Sequence, residues 1–201
     1  MRLREIFEIA DRWFYGWARE CAVNEMQSAF LKTVVPAAQI SQKLSGIPAS
    51  ITIAQAILES GWGQSALARQ ANNFFGIKAA AHLAPNQYEE FPTDEFVDGR
   101  KRREMAAFAK FATPADSFAA HARLIAGSPR YARAMAACGD RVKFALALQA
   151  CGYSTLEDSR GNLIYAQRLM QLVDELDLAQ YDLSPTPDAP ATAQAQKEIA
   201  A

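Results

Sequence analysis

Residues 51–60, ITIAQAILES, constrain the fold more tightly than any other part of this 201-residue chain. Ile51, Ile53, Ala54, Ala56, Ile57 and Leu58 cover most of the circumference of a helix. Thr52, Gln55 and Glu59 remain as a polar stripe, at spacings of three and four that align them on one face. A helix so apolar belongs in a core, so the rest of the domain is expected to wrap around it. The stripe should then face water or a cleft. Pro48 stands where a first-turn proline loses no hydrogen bond, and Gly61-Trp62-Gly63 ends the helix.

The pattern on either side is mostly helical. Leu3, Ile6, Phe7, Ala10, Phe14 and Trp17 recur at helical spacing, so residues 1–28 read as an amphipathic extension. Further helices are predicted over 29–44, 65–70, 115–126, 130–137, 141–150 and 163–176. Between 84 and 111 the period changes: Gln87 to Val97 and Arg100 to Phe111 read as two strands joined by Asp98-Gly99, a strong hairpin turn. The tail from Ser184 is Pro/Ala-rich, lacks apolar periodicity and is expected to be a disordered end. The expected fold is α+β, mainly α: a helical domain over 29–183 with an inserted β-hairpin lobe.

Composition removes several functions. A net charge of −1 gives no basic surplus for nucleic acid, and the run Arg100-Lys101-Arg102-Arg103 reads as a solvated strand. His82 and His121 lie far apart without metal-ligand spacing, so no metal and no cofactor is expected. Cys21, Cys138 and Cys151 form no disulfide framework and read as free thiols. Glu5, Glu8, Asp11 and Arg12 interrupt any apolar signal core, and no run approaches the ~20 apolar residues of a membrane span. The chain is expected to be made in the cytoplasm without a signal peptide.

Glu59 is the chemically unusual residue. It lies at the negative end of the helix dipole among apolar neighbours, and both effects disfavour its carboxylate and should raise its pKa. A carboxyl group kept protonated near neutral pH is what glycosidic cleavage requires as general acid. Trp62 offers a flat apolar face to a sugar ring, and Asn72-Asn73-Phe74-Phe75-Gly76 adds amides and aromatics. Gln55, Trp62, Asn73 and Phe75 are therefore candidate sugar contacts.

The stretch IPASITIAQAILESGWGQSALARQANNFFGIKA resembles the signature of the glycoside hydrolase family 73 glucosaminidases, and the likeness runs from about Phe30 to Leu178. The resemblance implies a lysozyme-like fold, a peptidoglycan glycan strand as substrate, and Glu59 as proton donor. It places a second acid on the β-lobe, where TDEFVDG corresponds to Glu95, with Asp94, Glu89 and Glu90 as rivals. Glu95 would act as base on water, stabilise oxocarbenium-like charge, or position the substrate acetamide. Phe96 and Phe111 stand where the family usually has tyrosines. A closing tyrosine maps onto Tyr165, with Tyr153 as the alternative, because LEDSRGNL lengthens the connection before it.

The implied reaction is hydrolysis of the β-1,4 bond after N-acetylglucosamine, in the periplasm or on the cell wall. A lytic transglycosylase using Glu59 alone, or a non-catalytic cell-wall-binding module, are the competing readings. The N-terminal helix or the cleft is the expected contact for delivery machinery or an immunity protein.

Overall fold

The computed structural model of the chain describes residues 25–97 and 100–184, excluding the side chains of 94–97 and 100–102. The expected N-terminal extension over 1–24, the Asp98-Gly99 turn and the tail beyond Ser184 lie outside the described residues. Among the described residues seven α-helices and one pair of strands follow in order: α1 (25–45), α2 (Ala49–Ser60), α3 (Ala66–Ala71), β1 (Tyr88–Val97), β2 (Arg100–Ala109), α4 (Pro114–Ala126), α5 (Ala132–Met135), α6 (Arg141–Ala150) and α7 (Tyr165–Glu175). This is the expected helix-dominated α+β arrangement. One helix differs: the stretch expected as a single helix over 130–137 opens with a 3-10 turn at Pro129–Tyr131 and gives only one α turn.

α2 forms the axis of the domain. From Ala49 to Ile57 every residue is buried, as expected of a helix apolar on most sides. It packs against α7 and the 3-10 turn Leu178–Tyr181. Phe118, Ile125, Phe144, Leu148, Leu169 and Leu178 complete the core around Ile51, Ile53 and Ile57. α1 contributes Phe30, Val34, Ala37, Ala38 and Ser41, one face of a helix.

The start of α2 has no acidic residue of its own, so its unpaired N–H groups are met from distant segments. Ala49 N donates to Gln42 Oε1 (3.1 Å) and Ser50 N to Asp182 Oδ1 (2.7 Å). Asp182 Oδ2 also accepts from Ser50 Oγ and from Arg141, each at 2.8 Å. One carboxylate thus joins the C-terminal segment, α2 and α6 at the positive end of a helix dipole.

The lobe is a two-stranded antiparallel ribbon with register Tyr88↔Ala109 to Val97↔Arg100, leaving two residues for the turn. Its base is fastened to the helical floor. Ala79 N donates to Ala107 O and Ala109 N to Ile77 O, each at 2.9 Å, so residues 77–79 pair with β2. Asn72, in the left-handed region at φ 48°, caps α3 and donates to Phe111 O (3.1 Å) and Ala112 O (3.2 Å). Cys138 and Cys151 are free thiols.

Candidate active site

The break after α2 builds one edge of the site. Gly61, Trp62 and Gly63 all adopt positive φ, at 57°, 60° and 73°. Ser60 Oγ accepts from Gly63 N at 2.8 Å and closes the turn. A Cβ on Gly63 would lie 3.2 Å from the Phe30 ring, tighter than ordinary contact, so packing adds to the positive φ in favouring glycine there. Trp62, a bulky residue in the left-handed region, is held by an edge-to-face contact with Phe30 at 5.5 Å. Trp62 is half-buried.

Glu59 is the one member of the polar stripe that reaches solvent. The protein around it is nonetheless dense enough that desolvation raises its pKa above the ordinary carboxylate value. The expectation that the whole stripe faces water or a cleft is corrected for the other two residues. Thr52 is buried and its hydroxyl donates to Pro48 O at 3.3 Å. Gln55 is 0 % exposed and its Nε2 donates to the Tyr165 hydroxyl at 3.0 Å. A helix enclosed on all sides can satisfy a hydroxyl within itself and an amide from a neighbouring helix. Gln55 is therefore a support for Tyr165 and not an exposed sugar contact.

Two more candidates are turned inward. Asn73 is 1 % exposed: its Nδ2 donates to Ile77 O and Ala109 O, both at 2.9 Å, and its Oδ1 accepts from Ile77 N at 3.0 Å and Phe75 N at 3.4 Å. Both amide hydrogens and both principal acceptor directions are used, leaving Asn73 as a clamp between floor and lobe. Phe75 is buried, stacked on His121 at 3.9 Å and 14°, with its edge toward Phe118 at 4.8 Å.

The tyrosines meet. Tyr153 and Tyr165 stack at 5.5 Å and 28°, and Tyr131 lies 5.9 Å from Tyr153. The Glu59 charge bears on both Tyr153 and Tyr165; together with burial, the larger cause, it raises both phenols. Tyr165 is 1 % exposed, whereas Tyr153 is only half-buried, so Tyr153 is the tyrosine with surface at the site. The connection before Tyr165 closes on itself. Glu157 bridges Leu163, Asp158 accepts from Arg160 N and Asn162 N, and Gly161 turns at φ 79°.

Sequence reasoning missed three residues. His121, on α4, is 1 % exposed and its Nε2 lies 2.9 Å from the Tyr153 hydroxyl. Burial lowers its pKa to about 3, so the ring is neutral. Tyr131 lines the back of Tyr153. Arg130 Nε donates to Cys151 O at 2.7 Å and its guanidinium also reaches Gly152 O, fixing the peptide before Tyr153. The available signal was His121 at helical spacing with the buried residues Phe118, Ala122 and Ile125, which reads equally as core.

Glu95 lies on β1 opposite Arg102, with its side chain outside the described residues. Of its rivals, Glu89 is paired with Lys110 at 3.2 Å. Among the described residues no group of three His, Cys, Asp or Glu side chains could hold a metal ion.

A carboxyl group with a raised pKa beside a tryptophan and clustered tyrosines is an arrangement for glycan chemistry, and residues 35–178 match the glucosaminidase family, described as mannosyl-glycoprotein endo-beta-N-acetylglucosaminidase. The chain belongs to that family. This glucosaminidase domain is similar to the exo-glucosaminidase LytG of Bacillus subtilis, 34 % identical over 82 % of this chain and 57 % of LytG. It is also similar to the peptidoglycan hydrolase FlgJ of Vibrio parahaemolyticus, 30 % identical over 74 % of this chain and 47 % of FlgJ. The catalytic domain of the autolysin Auto from Listeria monocytogenes superposes with a TM-score of 0.68 at 26 % identity, covering 83 % of this chain and 97 % of that domain. The chain thus spans about half the length of the curated relatives it matches.

Proposed function

We propose that this glycoside hydrolase cleaves the β-1,4 bond between N-acetylglucosamine and N-acetylmuramic acid in peptidoglycan, with Glu59 as general acid. The observation that carries the reading is the raised pKa of Glu59 at the open end of an otherwise enclosed helix. Glu59 protonates the leaving oxygen, and Trp62 and Tyr153 offer the sugar aromatic surface. Glu95, on the lobe, supplies the second carboxylate. A carboxyl separation of about 5 Å in the closed complex corresponds to a nucleophile, and roughly 6.5–9.5 Å to a base acting through water. FlgJ is a peptidoglycan hydrolase and Auto an autolysin, and the likeness to them supports peptidoglycan as the substrate.

The test is mass spectrometry of borohydride-reduced peptidoglycan digests from wild type and Glu59→Gln. Reduced N-acetylglucosamine ends present with wild type and lost in the variant support the proposal. Anhydro-muramic ends move the domain to transglycosylase chemistry. Wall binding without release by wild type makes Glu59 a cleft residue only. Product length separates endo cleavage from the exo mode of the glucosaminidase LytG.

A further inference from the structure

Tyr153 offers the sugar aromatic surface in the proposed reaction, and the backbone that carries it has an unusual mounting. α6 is capped by Cys151, and Gly152 turns the chain at φ 72°. Gly152 N donates back to Gln149 O at 2.8 Å, and Tyr153 N to Leu148 O at 3.2 Å. This pair of bonds is a Schellman motif, so the end of α6 itself sets where the Tyr153 backbone lies. The Cys151 and Gly152 carbonyls face away from that motif and need partners of their own.

Arg130 takes both. Its Nε donates to Cys151 O at 2.7 Å, and its guanidinium also reaches Gly152 O. A planar fork can span two successive carbonyls, and a cation suits the negative end of the α6 dipole. A Cβ on Gly152 would stand 2.7 Å from the guanidinium, so glycine leaves room for this approach. Arg130 is exposed, belongs to the 3-10 turn Pro129–Tyr131, and stands over the Tyr131 ring at 5.4 Å. Tyr131 in turn lies 5.9 Å from Tyr153. One short turn therefore braces Tyr153 twice, at the peptides before it and against its ring. The far end of the same side chain is held separately. His121 Nε2 lies 2.9 Å from the Tyr153 hydroxyl, and the His121 ring is stacked on Phe75 at 3.9 Å.

We propose that Arg130 is a positioning residue: it locks the end of α6 in the geometry that presents the Tyr153 ring to the glycan, and so sets substrate affinity through Tyr153. The inference rests on Tyr153 being a sugar surface. Its rival is an exposed arginine that contacts the substrate directly.

The experiment is steady-state kinetics on solubilised peptidoglycan for wild type, Arg130→Ala, Tyr153→Leu, the double variant and His121→Phe, each first shown to be folded by circular dichroism. An aromatic platform binds ground and transition states alike. Tyr153→Leu should therefore raise KM about tenfold with kcat within about twofold. Arg130→Ala keeps the ring but loosens its mounting, and should raise KM about fivefold with kcat equally unmoved. The double variant should match Tyr153→Leu alone, because without the ring Arg130 has nothing to position. His121→Phe releases the other end of the ring and should also raise KM. His121→Gln, whose amide can bond the hydroxyl, should return it toward wild type. Increments that multiply in the double variant overturn the proposal and make Arg130 an independent contact. Arg130→Ala at wild-type KM overturns it as well and leaves Arg130 a surface cap of α6. If Tyr153→Leu keeps the wild-type KM, the proposal falls with the sugar-surface reading, and that single variant identifies the cause. A wild type without turnover overturns the proposed function instead, and the same cycle then tests this inference as Kd for solubilised glycan strands.

Discussion

Replacing Asn73 by alanine separates a structural clamp from a sugar ligand. The substitution removes two donors, to Ile77 O and Ala109 O at 2.9 Å, and an acceptor for Ile77 N at 3.0 Å, in a place only 1 % exposed. Ile77 O keeps Ala109 N as a second partner, but Ile77 N loses the partner that Oδ1 gave it. Two to three net hydrogen bonds at about 1 kcal/mol each, with part of the desolvation cost of the groups left behind, give a loss of about 3 kcal/mol. For a chain of 201 residues, about 2–4 °C per kcal/mol converts this to a fall in Tm of about 10 °C. The assay is thermal unfolding by circular dichroism, with release of dye-labelled peptidoglycan at 20 °C normalised to the folded fraction. A clamp predicts the full fall in Tm with KM near wild type in the molecules that remain folded. A Tm within about 3 °C of wild type, accompanied by a raised KM, would refute the reasoning and return Asn73 to the substrate.

Gly63→Ala should cost more than Gly61→Ala, although both have positive φ. Alanine at Gly61 meets nothing within 4 Å and bears about 1–2 kcal/mol of left-handed strain, whereas at Gly63 it also strikes the Phe30 ring at 3.2 Å; equal urea midpoints would contradict this. Asp182→Ala removes the acceptor for Ser50 N, Ser50 Oγ and Arg141 together, with an expected loss of about 2 kcal/mol, and a change under about 0.5 kcal/mol would show that α2 caps itself. His121 predicts a pH dependence of stability. Its folded pKa is lowered from 6.5 to about 3, so below pH 6.5 the unfolded chain binds the extra proton and stability falls on acidification through that window. Between pH 6.5 and 5 this amounts to about 2 kcal/mol, seen as a steeper loss of Tm in wild type than in His121→Gln; parallel curves would exclude it.

Elements with a local cause were legible in the sequence. The α2 core helix, the two paired strands of the lobe and the α4 helix all follow from periodicity and local propensity within a few residues. The short α5 was overestimated because Ala132 to Ala137 has high helix propensity, whereas the chain enters through a 3-10 turn at Pro129–Tyr131 and tightens again after Met135, where Ala137 N and Cys138 N bond three residues back. Site residues were less legible. Asn73 carries the amide expected of a sugar contact, but its partners Ile77 and Ala109 belong to the lobe base, and only the folded lobe brings Ala109 to it. His121 gave no motif, because its partner Tyr153 lies 32 residues away on another element.

The polar stripe on α2 shows why spacing alone misassigns a cleft. Thr52, Gln55 and Glu59 share one face, yet two of them are enclosed. Gln55 finds its partner 110 residues later in the chain, at the start of α7, where Gln149 holds the Ala166 N–H at 2.9 Å and α7 begins against the floor. Periodicity distinguishes the faces of a helix but not which part of a face is covered by a later segment. Glu59 remains open because it occupies the last turn: Gly61 stops the helix, and the left-handed run to Gly63 carries the chain away before another turn can form. Continued by one more turn, the helix would enclose that carboxylate beside Tyr165 as it does Gln55. An enclosed acid would be protonated but unreachable, and a fully solvated one reachable but ionised. The end of a buried helix, closed by glycine, lets one carboxyl group be both desolvated and reachable, which is what the general-acid role proposed for Glu59 requires.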